Sequence, residues 1–287
     1  MVLVQVLLNG LLLGGIYACI GAGFSLVWGV VNIINILHGS FIVLGGYGAF
    51  YAFKLWGIHP FLAMVPLGLV GYAAGYLLQR YVIHRVMAAK VLVTLTLTFG
   101  LNLLLNNLMI FGFSADFRKV VLPSQDPLVF AGLTLPMDRA FSMAAALAVV
   151  VLTHALMTRT MLGRSIIAVR MDSQAAQLMG VNVGHTFAAT FGLGTALALV
   201  AGAILSPVFP ISPVAAEGYL AKAFIVCVLG GLGSLPGVLA GGVLLGVTES
   251  LGSYFLGSGH ALTLSYVLLL GFLLLRPEGL MGKRGFA

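Results

Sequence analysis

The chain has 287 residues, of which 61% are hydrophobic and only 7% charged, and its formal net charge is +7. A water-soluble domain carries roughly 25% charged residues because its surface must face water, so this composition excludes a soluble globule. The Lys and Arg residues do not form one run, which argues against a nucleic-acid partner. The apolar stretches are continuous, and their lengths are close to the roughly 20 residues that a helix needs to cross a membrane. We therefore predict an all-α polytopic membrane protein with lipid as its main solvent.

Apolar stretches in chain order predict the membrane-spanning helices. They lie at 2–29, 40–56, 60–79, 91–113, 140–157, 186–206, 219–251 and 262–275. The stretch at 219–251 is too long for one crossing and contains a glycine-rich segment with Pro236, which interrupts helical hydrogen bonding. We divide it into 219–232 and 236–251. The expectation is about eight transmembrane helices in one domain spanning 1–287, with one or more of them broken or re-entrant.

Basic residues predict the orientation, because cytoplasmic loops of membrane proteins carry an excess of Lys and Arg. Three segments hold most of them and are assigned to the cytoplasm: 80–90, 158–185 and the tail from 276. The loop at 114–139 mixes acidic and basic residues and is assigned to the outside. The tail returns to the cytoplasm only if 219–251 crosses twice, which favours a reversal of the chain near Pro236.

Three spans carry glycines four residues apart, a spacing that lets helix backbones approach closely. The pairs are Gly10 and Gly14, Gly71 and Gly75, and Gly242 and Gly246. Packing within the chain is favoured over a contact between subunits.

Asn32, Asn35 and His38 lie three residues apart at the end of a span, which would place them near one helical face. Polar side chains there should face protein or a water-filled path, and the glycines around them favour an unwound or re-entrant segment. Two interpretations stay open: these residues line a path, or they form a hydrogen-bonded cluster that pins two helices.

Further polar residues lie in the spans or beside them. Thr98, Asn102 and Asn106 follow one helical face and fit either a pore or subunit seam or ordinary hydrogen bonding between helices. Glu217 and Lys222 follow a proline-rich stretch; they either pair near an outer opening or are unrelated charges in an exposed loop. Glu249, late in an apolar span, needs a partner.

The segment 158–185 predicts a short helix outside the membrane. Asp172 or Ser173 can cap its start, and Gly180 can end it in a left-handed turn. Ala175, Ala176, Leu178 and Met179 would then be available to a partner surface. On composition alone, two interpretations are equally favoured: this helix binds a motor domain, or it lies on the membrane interface.

Four sequence motifs follow one another along the chain. They are Gly-Val-Val-Asn-Ile-Ile-Asn-Ile-Leu-His-Gly-Ser-Phe at 29–41, Gln-Ala-Ala-x-x-x-Gly at 174–180, Gly-Gly-Leu-Gly-Ser-Leu-Pro-Gly-Val-Leu-Ala-Gly-Gly at 230–242 with Glu249 behind it, and Arg-Pro-Glu-Gly-Leu-x-Gly at 276–282. In this order they resemble the branched-chain amino acid (Liv-type) permease family of ABC importers, over nearly the whole chain, and the length fits its LivH-type member. Gln174 stands where the coupling loop of bacterial ABC importers has Glu.

The resemblance implies a complex in the bacterial inner membrane. A second, LivM-like permease subunit, two cytoplasmic ATPase subunits and a periplasmic substrate-binding protein would be the partners, with ATP and Mg on the ATPases and no cofactor, metal or catalytic residue on this chain. The absence of any Gly-x-x-x-x-Gly-Lys-Ser/Thr sequence agrees with a partner ATPase. The coupling residues that the resemblance implies are Gly163, Arg164, Arg170, Asp172, Gln174, Ala175, Ala176, Met179 and Gly180.

The substrate is the least determined part of this expectation. Branched-chain or other hydrophobic amino acids come first, while related permeases carry urea, amides or aromatic acids. An ion-coupled secondary transporter would need buried acids in the spans, and only Glu249 comes near that requirement. Asn32, Asn35, His38, Thr98 and Asn102, with Asn106 and Glu217, are the expected path residues.

Overall fold

Apolar helices make up most of the protein in a computed structural model that describes residues 2–87, 91–122, 127–130, 132–276 and 278–282. The helices are α1 (Val2–Val31), α2 (His38–Trp56), α3 (Pro60–Tyr81), α4 (Val91–Phe113), α5 (Met137–Arg159), α6 (Met161–Met171), α7 (Ser173–Leu178), α8 (Val183–Leu205), α9 (Ala216–Gly230), α10 (Leu235–Leu256) and α11 (Ala261–Leu275). Two short strands, β1 (Leu128–Phe130) and β2 (Leu133–Leu135), pair antiparallel between α4 and α5. Among the described helices, seven are long and apolar enough to cross a membrane, and α11 is a shorter apolar helix. The predicted all-α polytopic class is confirmed.

The described parts of the basic segments collect at one end of the bundle. The Tyr76 hydroxyl bonds both Arg80 and His185, and Arg170 reaches the turn between α9 and α10. We call this the basic end; it comprises 80–87, 159–182, 231–234 and 278–282. Lys90, Lys283 and Arg284 lie outside the described residues, as do Asp126 and Pro277.

The long apolar stretch reverses direction at the basic end. Gly231 and Gly233 have φ angles of 96° and 70°, in the left-handed region that glycine adopts readily. The Ser234 side chain then caps α10 by accepting the Gly237 N–H at 3.2 Å. Gly230 packs against Gly237, so α9 and α10 form a tight antiparallel hairpin. The expected reversal is confirmed.

The glycine pairs pack within the chain. A Cβ added at Gly14 would collide with the backbone of α10 at Val243, and one at Gly246 with the backbone of α1. Gly71 and Gly75 of α3 lie in the same way against α8. These two helix pairs, α1 with α10 and α3 with α8, have the most extensive contacts of the bundle, which confirms the expected packing within one chain.

Two membrane crossings are broken in the middle. The first break, 32–37, starts at Asn32, whose φ of 56° ends α1, and α2 begins inside the bundle, where His38 contacts the Ile20 carbonyl of α1. The second break, 206–212, is followed by a 3-10 turn at Pro213–Ala215 that leads directly into α9. The first turn of α2 packs on that of α9, because a Cβ at Gly39 would meet the Ala216 carbonyl.

From this meeting point the two helices run to opposite ends. Tyr51 of α2 accepts a hydrogen bond from Arg118, which follows the end of α4, whereas α9 ends at the basic end. The prediction that Asn32, Asn35 and His38 share a helical face is wrong, because the chain between Asn32 and His38 is not helical. The alternative expectation of an unwound segment is confirmed.

Candidate functional site

The first break carries polar side chains into the protein interior. Asn32 is exposed, but Asn35 and His38 are 1% and 0% exposed. His38 Nε2 lies 3.0 Å from the Ile20 carbonyl oxygen. Within the described part of the chain, the amide oxygen and nitrogen of Asn35 and Nδ1 of His38 have no hydrogen-bond partner. A buried polar atom without a hydrogen-bond partner costs about 1–3 kcal/mol of folding free energy. The first break therefore lowers the stability of the folded protein.

The polar stripe on α4 is part of the same cluster. Thr98 donates a hydrogen bond to the Ile34 carbonyl at 3.3 Å. Ser40 of α2 donates to the amide oxygens of Asn102 at 2.5 Å and Asn106 at 3.1 Å. The stripe therefore holds the broken helix, as in the helix-to-helix alternative. Sequence reasoning missed Ser40, although a hydroxyl two residues after His38 was a usable signal.

An aromatic group adjoins this cluster on the α9 side. Phe24 of α1 contacts His38 edge-on with ring centroids 5.5 Å apart, and it also contacts Trp28 and Phe224. Trp28 stacks on Phe224 of α9 at 5.4 Å. Trp28 and Phe224 are half-buried. No sequence pattern predicts this group, because Phe24 and Trp28 of α1 lie far from Phe224 of α9 in the chain.

A buried ionic group links α9 to three other helices. Lys222 Nζ lies 2.9 Å from Glu249 Oε2 and 2.7 Å from the Tyr17 hydroxyl, and Tyr17 donates to the same carboxylate oxygen at 2.6 Å. Ser265 of α11 contacts the other oxygen at 3.5 Å. This group supplies the partner expected for Glu249.

Glu217 does not take part in that group. It is exposed in the first turn of α9, and a spacing of five residues puts Lys222 on a different helical face. The pairing of Glu217 with Lys222 is therefore wrong. The alternative, two unrelated loop charges, fits Glu217 alone, since Lys222 is half-buried in a helix.

The segment 158–185 folds into two short helices. Asp172 caps α7 by accepting the backbone N–H groups of Gln174 at 2.8 Å and Ala175 at 3.0 Å. Gly180, with a φ of 87°, ends the helix as expected. Leu178 and Met179 are 88% and 85% exposed. Two apolar side chains so exposed next to a capped helix form a surface suited to a partner.

Ala176 does not belong to that exposed surface. It is only 5% exposed, whereas Gln174 and Ala175 on the same helix are exposed. The prediction that Ala176 is available to a partner is wrong, because this methyl group faces the protein and anchors α7.

The same segment is attached to the α9–α10 turn. Arg170 donates hydrogen bonds to the carbonyl oxygens of Leu232 at 2.9 Å and Gly233 at 2.6 Å, and its partial burial lowers the pKa of the guanidinium. Ser25 of α1 accepts the Gly233 N–H at 2.9 Å. Movement of α6 would therefore be passed to α9 and α10.

Two further expected coupling residues have different surroundings. Gly163 packs on the last turn of α5, where a Cβ would collide with the carbonyl oxygens of Leu156 and Met157. Arg164 is exposed. Gly163 thus sets the close turn between α5 and α6, while Arg164 is free to meet a partner.

The described residues contain no cluster of three or more His, Cys, Asp or Glu side chains that could hold a metal ion. Cys19 and Cys227 are both buried thiols. The structure is a bundle of apolar helices in which two crossings are broken, and α6 and α7 form a short helical elbow at its basic end. These features define the class of protein as the membrane-spanning subunit of a transporter.

Comparison with known proteins gives the family. The profile described as "Branched-chain amino acid transport system / permease component" matches residues 6–276, and the chain belongs to this family. The permease LivH of Salmonella typhimurium is 32% identical over 97% of this chain and 95% of its own length. BraD of Pseudomonas aeruginosa has the same identity and coverage, and LivM of Salmonella typhimurium is 28% identical over 93% of this chain and 68% of its own length. No solved structure matches. The chain is therefore a non-catalytic, multi-pass permease of the inner membrane.

Proposed function

We propose that this chain is the LivH-type permease subunit of an ABC importer for branched-chain or other hydrophobic amino acids. It forms a single permease domain over 1–287 and pairs with a LivM-like second permease. Two cytoplasmic ATPase subunits carry ATP and Mg, and a periplasmic binding protein delivers the substrate. The observation that carries this proposal is the elbow formed by α6 and α7. Leu178 and Met179 are exposed at its tip, and Arg170 of α6 bonds the turn between α9 and α10.

The elbow explains how a partner's ATP cycle would move this chain. An ATPase pair that grips Leu178 and Met179 differently in its open and closed states shifts the equilibrium between two permease conformations. Arg170 transmits the displacement to the α9–α10 turn. Since α9 starts at the meeting point with α2, the motion reaches the polar cluster around Asn35 and His38, and the path opens alternately to the two sides.

An ion-coupled secondary transporter fits the geometry less well. Such a transporter needs a buried acid that is free to take up a cation. Glu249 is already neutralised by Lys222 and hydrogen-bonded by Tyr17. Urea, amides and aromatic acids remain the alternative substrates; of these, an aromatic acid could pack its ring on the aromatic group beside His38.

The coupling role is tested by co-purification of the complete transporter. Met179→Glu places a charge on the exposed tip and should reduce ATPase recovered with the membrane subunits by roughly tenfold, since a lost apolar contact in an interface centre costs more than 1 kcal/mol. Met281→Glu, at an exposed position of the same end, is the matched control. Equal ATPase recovery with both variants would contradict the assignment of this surface.

The substrate is tested with the binding protein encoded beside the chain. Thermal-shift screening should show stabilisation by Leu, Ile or Val, because a ligand at 100 times its Kd adds about 2.7 kcal/mol to the stability of its receptor. Stabilisation by urea or an aromatic acid alone would replace the substrate and leave the permease assignment unchanged.

A further inference from the structure

We propose that the meeting point of α2 and α9 binds the zwitterionic end of an amino acid in passage, with Asn35 and His38 as its side-chain ligands. This inference rests on the proposed function and adds to it the chemistry by which the permease itself, rather than the binding protein, recognises the substrate.

The acceptors at this point match an ammonium group. His38 Nε2 faces a carbonyl oxygen, which can only accept, so this nitrogen carries the proton and Nδ1 of the neutral ring is an acceptor. Nδ1 has no donor, and neither has the amide oxygen of Asn35, within the described residues. Both residues are buried, and the backbone N–H of His38 donates to the backbone carbonyl of Asn35 at 3.2 Å. An ammonium group, with three N–H bonds, supplies the donors that both atoms lack.

The donors at this point match a carboxylate. The amide nitrogen of Asn35 is a buried donor without an acceptor in the described structure. The first turns of α2 and α9 lie together, and Leu37 at the N-cap position of α2 supplies no side-chain cap. α9 instead continues from a 3-10 turn at Pro213–Ala215, where the Ala216 N–H bonds the Pro213 carbonyl. In contrast, Asp172, Asn182 and Ser234 cap α7, α8 and α10.

The uncapped start of α2 brings the partial positive charge of a helix N-terminus into the protein interior. Broken helices of other transporters direct such ends at anionic groups of the substrate. A carboxylate at the start of α2 would accept from the Asn35 amide and meet the partial positive charge of this helix end.

The aromatic group supplies the third part of the site. Phe24 contacts His38, and the stacked pair of Trp28 and Phe224 lies next to it and is half-buried. An apolar side chain extending from a zwitterion held at His38 would cover these rings. The site thus selects an α-amino acid with an apolar side chain, and a substrate held there would bridge the two helices that run to opposite ends of the bundle.

The first test is photolabelling of the complete, unmodified complex in lipid nanodiscs, without the binding protein. The probe is a diazirine analogue of leucine, and labelled peptides are identified by mass spectrometry. We expect label within 24–40 or 216–228. Excess leucine should remove it, whereas leucinamide, which lacks the carboxylate, and 4-methylpentanoate, which lacks the ammonium group, should compete at least tenfold more weakly. Label confined to other segments, or competition by either analogue equal to that of leucine, overturns the proposal.

The second test measures uptake per ATP hydrolysed in proteoliposomes with the loaded binding protein. Asn35→Leu should lower this ratio at least roughly tenfold, since hydrogen bonds to charged groups are lost, while stimulation of the ATPase by the binding protein remains. Asn107→Leu is the matched control, because Asn107 is exposed and bonds only its own helix at Leu103. An unchanged ratio in Asn35→Leu contradicts the site. If the complex with Asn35→Leu does not assemble, the photolabelling of the unmodified complex decides whether the proposed site exists. Failure of the unmodified complex to import any amino acid would instead refute the proposed function.

Discussion

At the scale of single residues, the buried ionic group places two charges inside the bundle, where desolvation is costly. Lys222 and Glu249 are removed from water, and each depends on the other and on Tyr17 for compensation. Breaking such a pair by removing one partner leaves an uncompensated buried charge, which costs about 3–5 kcal/mol. The group joins α1, α9, α10 and α11, so its loss acts on four helices at once.

Lys222→Met is therefore expected to lower the thermal stability of the detergent-solubilised chain strongly, because Glu249 loses its counter-charge. Lys222→Met combined with Glu249→Gln should recover part of the loss, since no charge then remains buried. Lys54→Met, at an exposed position, is the control. Thermal unfolding followed by monodispersity on size exclusion measures all three, and a double variant less stable than Lys222→Met would show that the pair is not coupled as described.

Residue type alone indicated which polar positions matter, but not their partners. The sequence predicted that Glu249 needs a partner and that Asn35, His38 and Asn102 are special, because polar groups in spans are costly. For Lys222 it left open a pairing with the nearby Glu217 or no pairing at all, whereas the actual partner lies 27 residues away on the next helix.

At the scale of helices, backbone contact through glycine decides the packing. α1 meets α10 where Gly10 and Gly14 face Gly242 and Gly246. In lipid no hydrophobic force draws helices together, so close approach and dispersion contacts have to do so. Spacing was sufficient to predict this use of glycine, although not which helices pair.

Gly246→Val should prevent a stable α1–α10 pair, because its Cβ has only backbone atoms of α1 to displace. Gly271→Val introduces the same side chain in α11, where an added Cβ meets nothing within 4 Å, and it should be tolerated. The yield of folded, monodisperse protein after membrane extraction is the measurement. Comparable yields of the two variants would show that α1 and α10 are not held by this contact.

The elbow is the second element with a testable link. Arg170→Met removes two hydrogen bonds to the carbonyls of the α9–α10 turn. If those bonds transmit force, transport should fall roughly tenfold or more, in line with about 1.5–3 kcal/mol per bond to a charged group, while ATPase activity persists. Arg159→Met, at an exposed position of the same end, is the control. Full transport by Arg170→Met would place the coupling elsewhere.

At the scale of the whole molecule, the broken crossings define the arrangement. α2 and α9 start together in the interior and run to opposite ends; α2 packs mainly against α8, and α9 packs mainly against α10 and α1. α8 is buried along almost its whole length, whereas α3 and α4 leave most of their surface uncovered. Lipid or the second permease would cover those faces.

The orientation of this arrangement is tested by cysteine accessibility in intact cells. A cysteine at exposed Gln177 should resist a membrane-impermeant thiol reagent, because we place the basic end in the cytoplasm. A cysteine at exposed Phe117, on the opposite end, should react. Cys19 and Cys227 are buried and serve as the unreactive background. Reaction at 177 but not at 117 would invert the topology and exclude the coupling role of the elbow.

The amino-acid sequence by itself determined the membrane class, the reversal near Pro236, the cap and end of α7, and the use of glycine pairs. Each depends on local chemistry: the cost of charge in lipid, the missing N–H of proline, and the freedom of glycine. Only the tertiary structure decided that Asn35, His38 and the α4 stripe form one cluster, that Lys222 pairs with Glu249, and that the starts of α2 and α9 meet. Those contacts join residues far apart in the chain, and their partners are chosen by helix packing, which no local pattern encodes.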